Sequence, residues 1–366
     1  MEFNELDAGS YTVDVEATLS GALSGVGSAE VAVTEGETAS CSVLMNRVYT
    51  AAQAAERISD DNGENWNIIV AGPIDDDGLL EIAKNLKDVL TEGCISLDLG
   101  RTTGLSSIGV TKFQNCTALS AIVLSEGIGS IDENAFDGCT SLASVTIPDT
   151  VNEIGQFAFR NCSALKSIEI PNSVTTIAIG AFRDCTALTS IEIPRGVITI
   201  GSDSFNGCTA LESIEIPDSV TTIERAAFHG CSSLTDVYIP DSVTEIGNQT
   251  FINCSNLKSI VLSAGITSIA EQVFRKCTSL TSIEIPDGVS EIKRNAFMEC
   301  EVLESITIPV SVTSIETGAF VSCNKLESVK YKGLSDDWSG IAIGSNNPFE
   351  SGSGIKIICS DNTITL

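Results

Sequence analysis

Phenylalanine stands at positions 113, 136, 159, 182, 205, 228, 251, 274, 297 and 320, a step of 23 residues repeated without a slip. Cysteine follows each of them three residues later, from Cys116 to Cys323, and leucine three residues after that, from Leu119 to Leu326. Three fixed slots in ten copies define a repeat array, so 366 residues need not divide into the two or three domains that this length otherwise suggests.

The copy that starts at Leu165 reads LKSIEIPNSVTTIAIGAFRDCTA. Ile168 and Ile170 alternate with Glu169, the period-2 signature of a strand with one buried face. Pro171 ends that strand because it has no N–H to give to a ladder, and proline fills this slot in seven of the ten copies. Val174 and Ile177 return the chain to the core, and IAIGAF predicts a turn or short helix. Two residues after the phenylalanine stand Asn115, Gly138, Asn161, Gly207, Gly230 and Asn253, residue types that tolerate a left-handed backbone. Lys276, Glu299 and Ser322 depart from that preference, so the last coils are expected to close differently. The apolar anchors of one coil fall short of the entropy lost on ordering it, so coils must bury surface against one another, with strands in parallel register. At about 4.8 Å between strands, ten coils span roughly 45–50 Å.

The period of 23, the Ile-Pro after the strand, the VTxI segment and the AFxxC closure resemble the BspA-like (treponemal-type) leucine-rich repeats, over about Leu97 to Tyr331. The tail YKGLSDDWSGIAIGSNNPFESGSGIKIIC is similar to that family's carboxyl-terminal cap. The resemblance implies an α/β fold, a right-handed leucine-rich-repeat solenoid of ten 23-residue coils built from parallel strands and short helical turns. It also implies a bacterial protein, on the cell surface or secreted, that binds extracellular-matrix proteins, other host proteins or other cells.

The ends differ in kind. Residues 1–48 hold the alternating runs GSYTVDVEATL, SAEVAVTE and TASCSVLM, which predict three short strands of a partial β-sandwich or an edge addition. Residues 49–100 read as an α/β amino-terminal cap: Thr50 and Gln53 form a capping box for a helix through Ile58, Trp66 to Ala71 predicts a strand, and Leu79 to Leu90 is amphipathic. Residues 101–331 are the solenoid and 332–366 a β-rich carboxyl-terminal cap, with Trp66 and Trp338 placed to cover its two ends. MEFNELDAG has neither a basic flank nor an apolar run, so the leader of an exported protein is expected outside these residues, and no stretch is long and apolar enough for membrane insertion.

Lys plus Arg number 20 against 49 Asp plus Glu, a net charge of −29, which excludes the basic footprint that nucleic acid requires. One histidine in the chain removes most routes to acid–base and nucleophilic catalysis, so the reading is non-catalytic, with no cofactor and no metal site. The ten repeat cysteines, beside buried Phe and Leu, are expected to be reduced core thiols, with Cys41 the most accessible of Cys41, Cys94 and Cys359. Asp75-Asp76-Asp77 suits the positive end of the following helix, and Asp60-Asp61-Asn62-Gly63 a turn. His229, in the slot after Phe228, shares that slot with Asp137, Arg160, Arg183, Ile252 and Met298 in other copies, a variety that reads as solvent-facing and unconstrained.

The outward slot between the two strand isoleucines is the informative one: Val123, Thr146, Glu169, Glu192, Glu215, Tyr238, Val261, Glu284, Thr307, Lys330. Adjacent glutamates about 5 Å apart repel by only about 0.8 kcal/mol in water, which a cationic ligand would relieve. Asp236 replaces the serine usual two residues before this slot. The candidate binding residues are therefore Glu169, Glu192, Glu215, Asp236, Tyr238, Val261 and Glu284, on the face expected to curve inward, for a protein ligand with a basic contact site such as a host matrix protein. The alternatives are an architectural spacer that displays another module and a carbohydrate-binding surface protein.

Overall fold

A computed structural model describes residues 48–58, 67–89, 95–349 and 351–366 in full, and the backbone alone of 2–3, 9–19, 22–33, 39–40, 46–47, 59 and 66. The expectations for Cys41, Cys94, the Asp60–Gly63 turn and the Trp66 side chain lie outside the described residues.

The chain enters through one seven-stranded sheet. Gly9–Leu19 pairs antiparallel with Ala22–Val33, which pairs with Asn46–Tyr49. Parallel pairing then runs through Trp66–Pro73 and Ile95–Thr103 into the first coils, Leu119–Val123 and Ser144–Thr146. Helix α1, Ala51–Ser59, starts at the expected capping box: Thr50 N–H donates to Gln53 Oε1 at 3.0 Å and Gln53 N–H to Thr50 Oγ1 at 3.4 Å. Helix α2, Asp76–Asp88, begins three residues before Leu79 because Asp75 caps it, accepting from Gly78 N–H at 2.8 Å. Its Leu79, Ile82, Ala83 and Leu86 are buried on the open side of the first coil.

Within the array every repeat phenylalanine is buried and lies flat against the next, with ring centroids 5.1–5.8 Å apart and planes 1–19° from parallel. Emptying one such site by Phe→Ala typically costs about 3–5 kcal/mol. The cysteines behind them are buried free thiols. Each Sγ donates to the carbonyl of the phenylalanine in the preceding coil, as Cys139 does to Phe113 at 3.0 Å and Cys300 to Phe274 at 3.0 Å. Cys116 has no coil before it, and uses Ala83 of α2 at 3.5 Å instead.

Three backbone columns join the coils. Strand segments stack in parallel one repeat apart, as in Val145 beside Ile122 and Ile283 beside Ile306 beside Val329. The VTxI return forms a second ladder of two-residue strands, such as Thr176–Ile177, Thr199–Ile200 and Thr222–Ile223, which the sequence reading did not treat as strand. The third column surrounds the phenylalanine. In each coil up to that of Phe297, the N–H groups two before it, at it and two after it donate to carbonyls of the next coil: Thr111 to Glu133, Phe113 to Ala135 and Asn115 to Asp137 at 3.0, 2.8 and 2.7 Å.

That row of donors dictates the backbone. Aiming alternate N–H groups the same way requires left-handed residues two before and two after the phenylalanine, and all ten coils have both, with φ of 54–67° and 59–78°. Lys276, Glu299 and Ser322 adopt φ of 62–63°, so the last coils close as the others do, contrary to the sequence expectation. Left-handed residues also stop helix propagation, so the segment left open as turn or short helix consists of turns. The slot after the phenylalanine is likewise constrained. Asp137 and Ile252 are buried there, Arg160 pairs with Asp137, and His229 is half-buried with its Nε2 3.2 Å from Asn253 Nδ2. Burial pulls the His229 imidazole below its ordinary pKa.

The array ends on Phe349, which meets Phe320 edge-on at 5.3 Å and 67°, and on the buried Trp338 of helix α3, Ser335–Ser339, which packs against Phe349 and Tyr331. Asn347 Oδ1 replaces the missing next-coil carbonyl by accepting from Phe320 N–H at 3.0 Å.

Candidate functional site

The strand slot exposes one side chain per coil between two buried isoleucines, so its residues form a line across the coils. Glu169, Glu192, Glu215, Tyr238, Val261 and Glu284 are all exposed. Tyr238 and Val261, 59% and 56% exposed, are in-register parallel partners, an aromatic and an aliphatic group held side by side. Glu192 and Glu215 are likewise joined by an isolated parallel bridge.

Five of the seven candidates, Glu192, Glu215, Asp236, Tyr238 and Val261, line one open hollow of about 790 Å³ floored by Ile193, Ile214, Ile216 and Val237. Glu169 lies in an adjoining hollow of about 260 Å³ that shares Glu192. The ladder is weakest here: no strand is formed over 167–170, and the Glu192–Glu215 bridge is not extended on either side, whereas Asp236–Tyr238 and Ser259–Val261 pair fully. Asp236 accepts from Ser259 Oγ, and this bond and that of Thr235 hold its carboxyl below the usual range, charged and aimed along the rim.

Glu284 stands apart. It is 3.0 Å from Lys332 Nζ, which also reaches Asp287 at 2.8 Å, and both carboxylates raise the pKa of that lysine. Its charge is thus partly offset within the chain, by a lysine that it shares with Asp287. Sequence reasoning missed Arg195 and Asp218 at the rim of the larger hollow. Both sit in the slot after Pro194 and Pro217, where Asp149, Asn172 and Asp241 occupy the neighbouring copies, so the one cation in a column that is acidic in five of its ten copies was the available signal.

Parallel 23-residue coils stacked on columns of Phe, Cys and Leu define a leucine-rich-repeat solenoid. Residues 106–235 and 221–337 match the BspA type leucine rich repeat region, a stretch of six copies, and the chain belongs to that family. No curated protein matches the chain. Among solved structures it is similar to a leucine rich cell surface protein from Faecalibacterium prausnitzii, at 25% identity and TM-score 0.40 over 90% of this chain and 97% of that one. It is also similar to a leucine-rich repeat protein from Eubacterium ventriosum, at 19% identity and TM-score 0.45, covering 92% and 94% of the two chains. The pneumococcal vaccine antigen PcpA aligns at 15% identity and TM-score 0.47, covering 94% and 98%. No described helix is long and apolar enough to cross a membrane.

Proposed function

We propose that the protein is a non-catalytic binding solenoid, an adhesin of a bacterial surface or its secretions, that holds a basic site of a host matrix protein on the outward strand face. The observation that carries this reading is the hollow in which exposed Tyr238 and Val261 lie together, rimmed by Glu192, Glu215 and Asp236. An aromatic anchor with an aliphatic neighbour supplies desolvation energy, and the carboxylates supply steering and register. Membership of the BspA type family supports the surface location.

The test is capture of purified matrix proteins by the immobilised full chain, compared with its Tyr238→Ala variant. Retention of a basic matrix protein that weakens at least about tenfold with Tyr238→Ala is the expected result. Absence of capture overturns the reading and leaves the array as a spacer, and equal capture by both overturns the choice of this face.

A further inference from the structure

The hollow constrains the shape of what it holds, as well as its charge. Its lining carries four carboxylates, Glu192, Glu215, Asp218 and Asp236, against one guanidinium, Arg195, which forms no ion pair among the described residues. The strand slots advance by one coil each, so Glu169, Glu192 and Glu215 form a row of three carboxylates about 9.6 Å from end to end. Tyr238 follows at about 14 Å and Val261 at about 19 Å on the same line.

Two regular backbones are able to lie along that row. In an extended segment, side chains on one face recur about every 6.7 Å, so three cations centred on Glu192 miss each outer carboxylate by about 2 Å, and five such side chains span about 27 Å against the roughly 19 Å from Glu169 to Val261, about 4 Å out at each end. In an α-helix, side chains at i, i+4 and i+7 share one face and span about 10.5 Å, within about 1 Å of the carboxylate row. Continuing the same face, i+11 and i+14 fall about 16 and 21 Å along, within about 2 Å of Tyr238 and Val261 and inside the reach of a leucine or lysine stem.

Resting on the reading of this face as the binding surface, we infer that its ligand is an amphipathic helix lying across the coils. The helix carries Lys or Arg at i, i+4 and i+7 over Glu169, Glu192 and Glu215, and apolar residues at i+11 and i+14 over Tyr238 and Val261. The open hollow takes the i+11 side chain between the Tyr238 ring and the isoleucine floor. The order of the two halves along the helix is set only by which end of the partner is basic.

The experiment uses the full chain and a fluorescent 18-residue Ala/Gln peptide with lysines at positions 3, 7 and 10 and leucines at 14 and 17, together with its reversed sequence. The control has the same composition with lysines at alternate positions 3, 5 and 7. At about 50 mM salt, where surface charge is only partly screened, one of the helix-spaced peptides should bind at least about tenfold tighter than the control. It should also gain helical circular dichroism on binding, and the advantage should vanish with Tyr238→Ala. Equal binding of all peptides overturns the helix and leaves the acidic face standing as a charge surface. Failure of every peptide, while a matrix protein is captured through Tyr238, also overturns the helix. Failure of every peptide with capture indifferent to Tyr238→Ala removes the face itself.

Discussion

The amide N–H of Phe320 donates to the side-chain oxygen of Asn347 at 3.0 Å, and Asn347 in turn donates through Nδ2 to the carbonyls of Glu316 and Gly344 at 2.9 and 2.8 Å. One buried side-chain amide thus does for Phe320 what a carbonyl of the next coil does for the other repeat phenylalanines. Asn347→Leu leaves the Phe320 donor and two carbonyls without these partners, at about 1–3 kcal/mol for each buried group. Chemical denaturation should show a destabilised variant, and hydrogen exchange should quicken first at Gly318 and Phe320.

Arg160 clasps Asp137 with two bonds, Nε to Oδ1 at 2.9 Å and the terminal nitrogen to Oδ2 at 2.6 Å. Burial pushes the Asp137 carboxyl up, but the hydrogen bonds of Arg160, Gln114 and Asn161, with the charge of Arg160, outweigh it and bring the pKa below its ordinary value. A carboxyl depressed in the folded state contributes stability that is present above its unfolded pKa and lost as pH falls through the folded one. Melts from neutral pH down to about pH 2 should therefore show a steeper acid limb in the wild type than in Asp137→Asn. Arg160→Ala should cost about 2–3 kcal/mol at neutral pH by leaving a buried carboxylate under-paired. For that reason Arg160 is a poor neutral control in binding assays.

Ser322 holds a left-handed φ of 63° in a slot where Gly138, Gly207 and Gly230 sit in other coils. Ser322→Gly removes a conformational cost of about 1–2 kcal/mol and adds a smaller entropic one, so the urea midpoint should rise. Ser322→Val should lower the midpoint, at a cost in stability of about 1–2 kcal/mol.

Burial raises the Cys116, Cys208, Cys254 and Cys323 thiols to about 12 and Cys162, Cys185, Cys231, Cys277 and Cys300 well above their usual value. Thiolate is the reactive form, so native protein at pH 8 should be labelled by a thiol reagent at Cys359 and at none of the ten repeat cysteines. Denaturant should expose all thirteen. Native labelling of several repeat cysteines, found by mass spectrometry, would contradict the packing.

Because Lys332 already pairs with Glu284, the glutamates of the candidate row should not be equivalent. Glu284→Gln should change affinity for a basic ligand by less than about twofold, whereas Glu215→Gln should weaken it about two- to fivefold. Lys332→Ala, by releasing Glu284 and Asp287, should quicken association at low salt, an effect that high salt erases. Surface plasmon resonance with a basic ligand separates these outcomes.

The array was legible because Phe, Cys and Leu each recur on one buried column, and side-chain chemistry follows the period directly. The left-handed slot two residues before the phenylalanine was legible in only half the copies: Asn134, Gly180, Asp203, Asn295 and Gly318 suit it, whereas Thr111, Phe157, Ala226, Gln249 and Gln272 give no such signal. In those five the geometry comes from the row of backbone donors, which leaves its mark on φ and none on residue type. Phe157 illustrates the cost of that row: its ring fills the space into which a Cβ at Gly180 would project, 2.3 Å from it, and Arg160 lies over the ring at 4.8 Å. At the candidate site, Tyr238 and Val261 were neighbours by arithmetic alone, since 23 residues is one coil. The Lys332–Glu284 contact was not legible, because it joins positions 48 residues apart through the reach of a long side chain rather than through register.

A column of rings in which each plate lies nearly flat on the next carries no address. Phe182 would stack on Phe136 as readily as it does on Phe159, so an in-frame loss of residues 148–170 should yield a shorter protein rather than a broken one. Duplication of the same segment should yield a longer one. Recombination between copies is thereby a conservative event for this chain: it changes reach in whole coils, slides Tyr238 nearer to or farther from the amino terminus, and leaves the edge-on ring of Phe349 to close whatever length results.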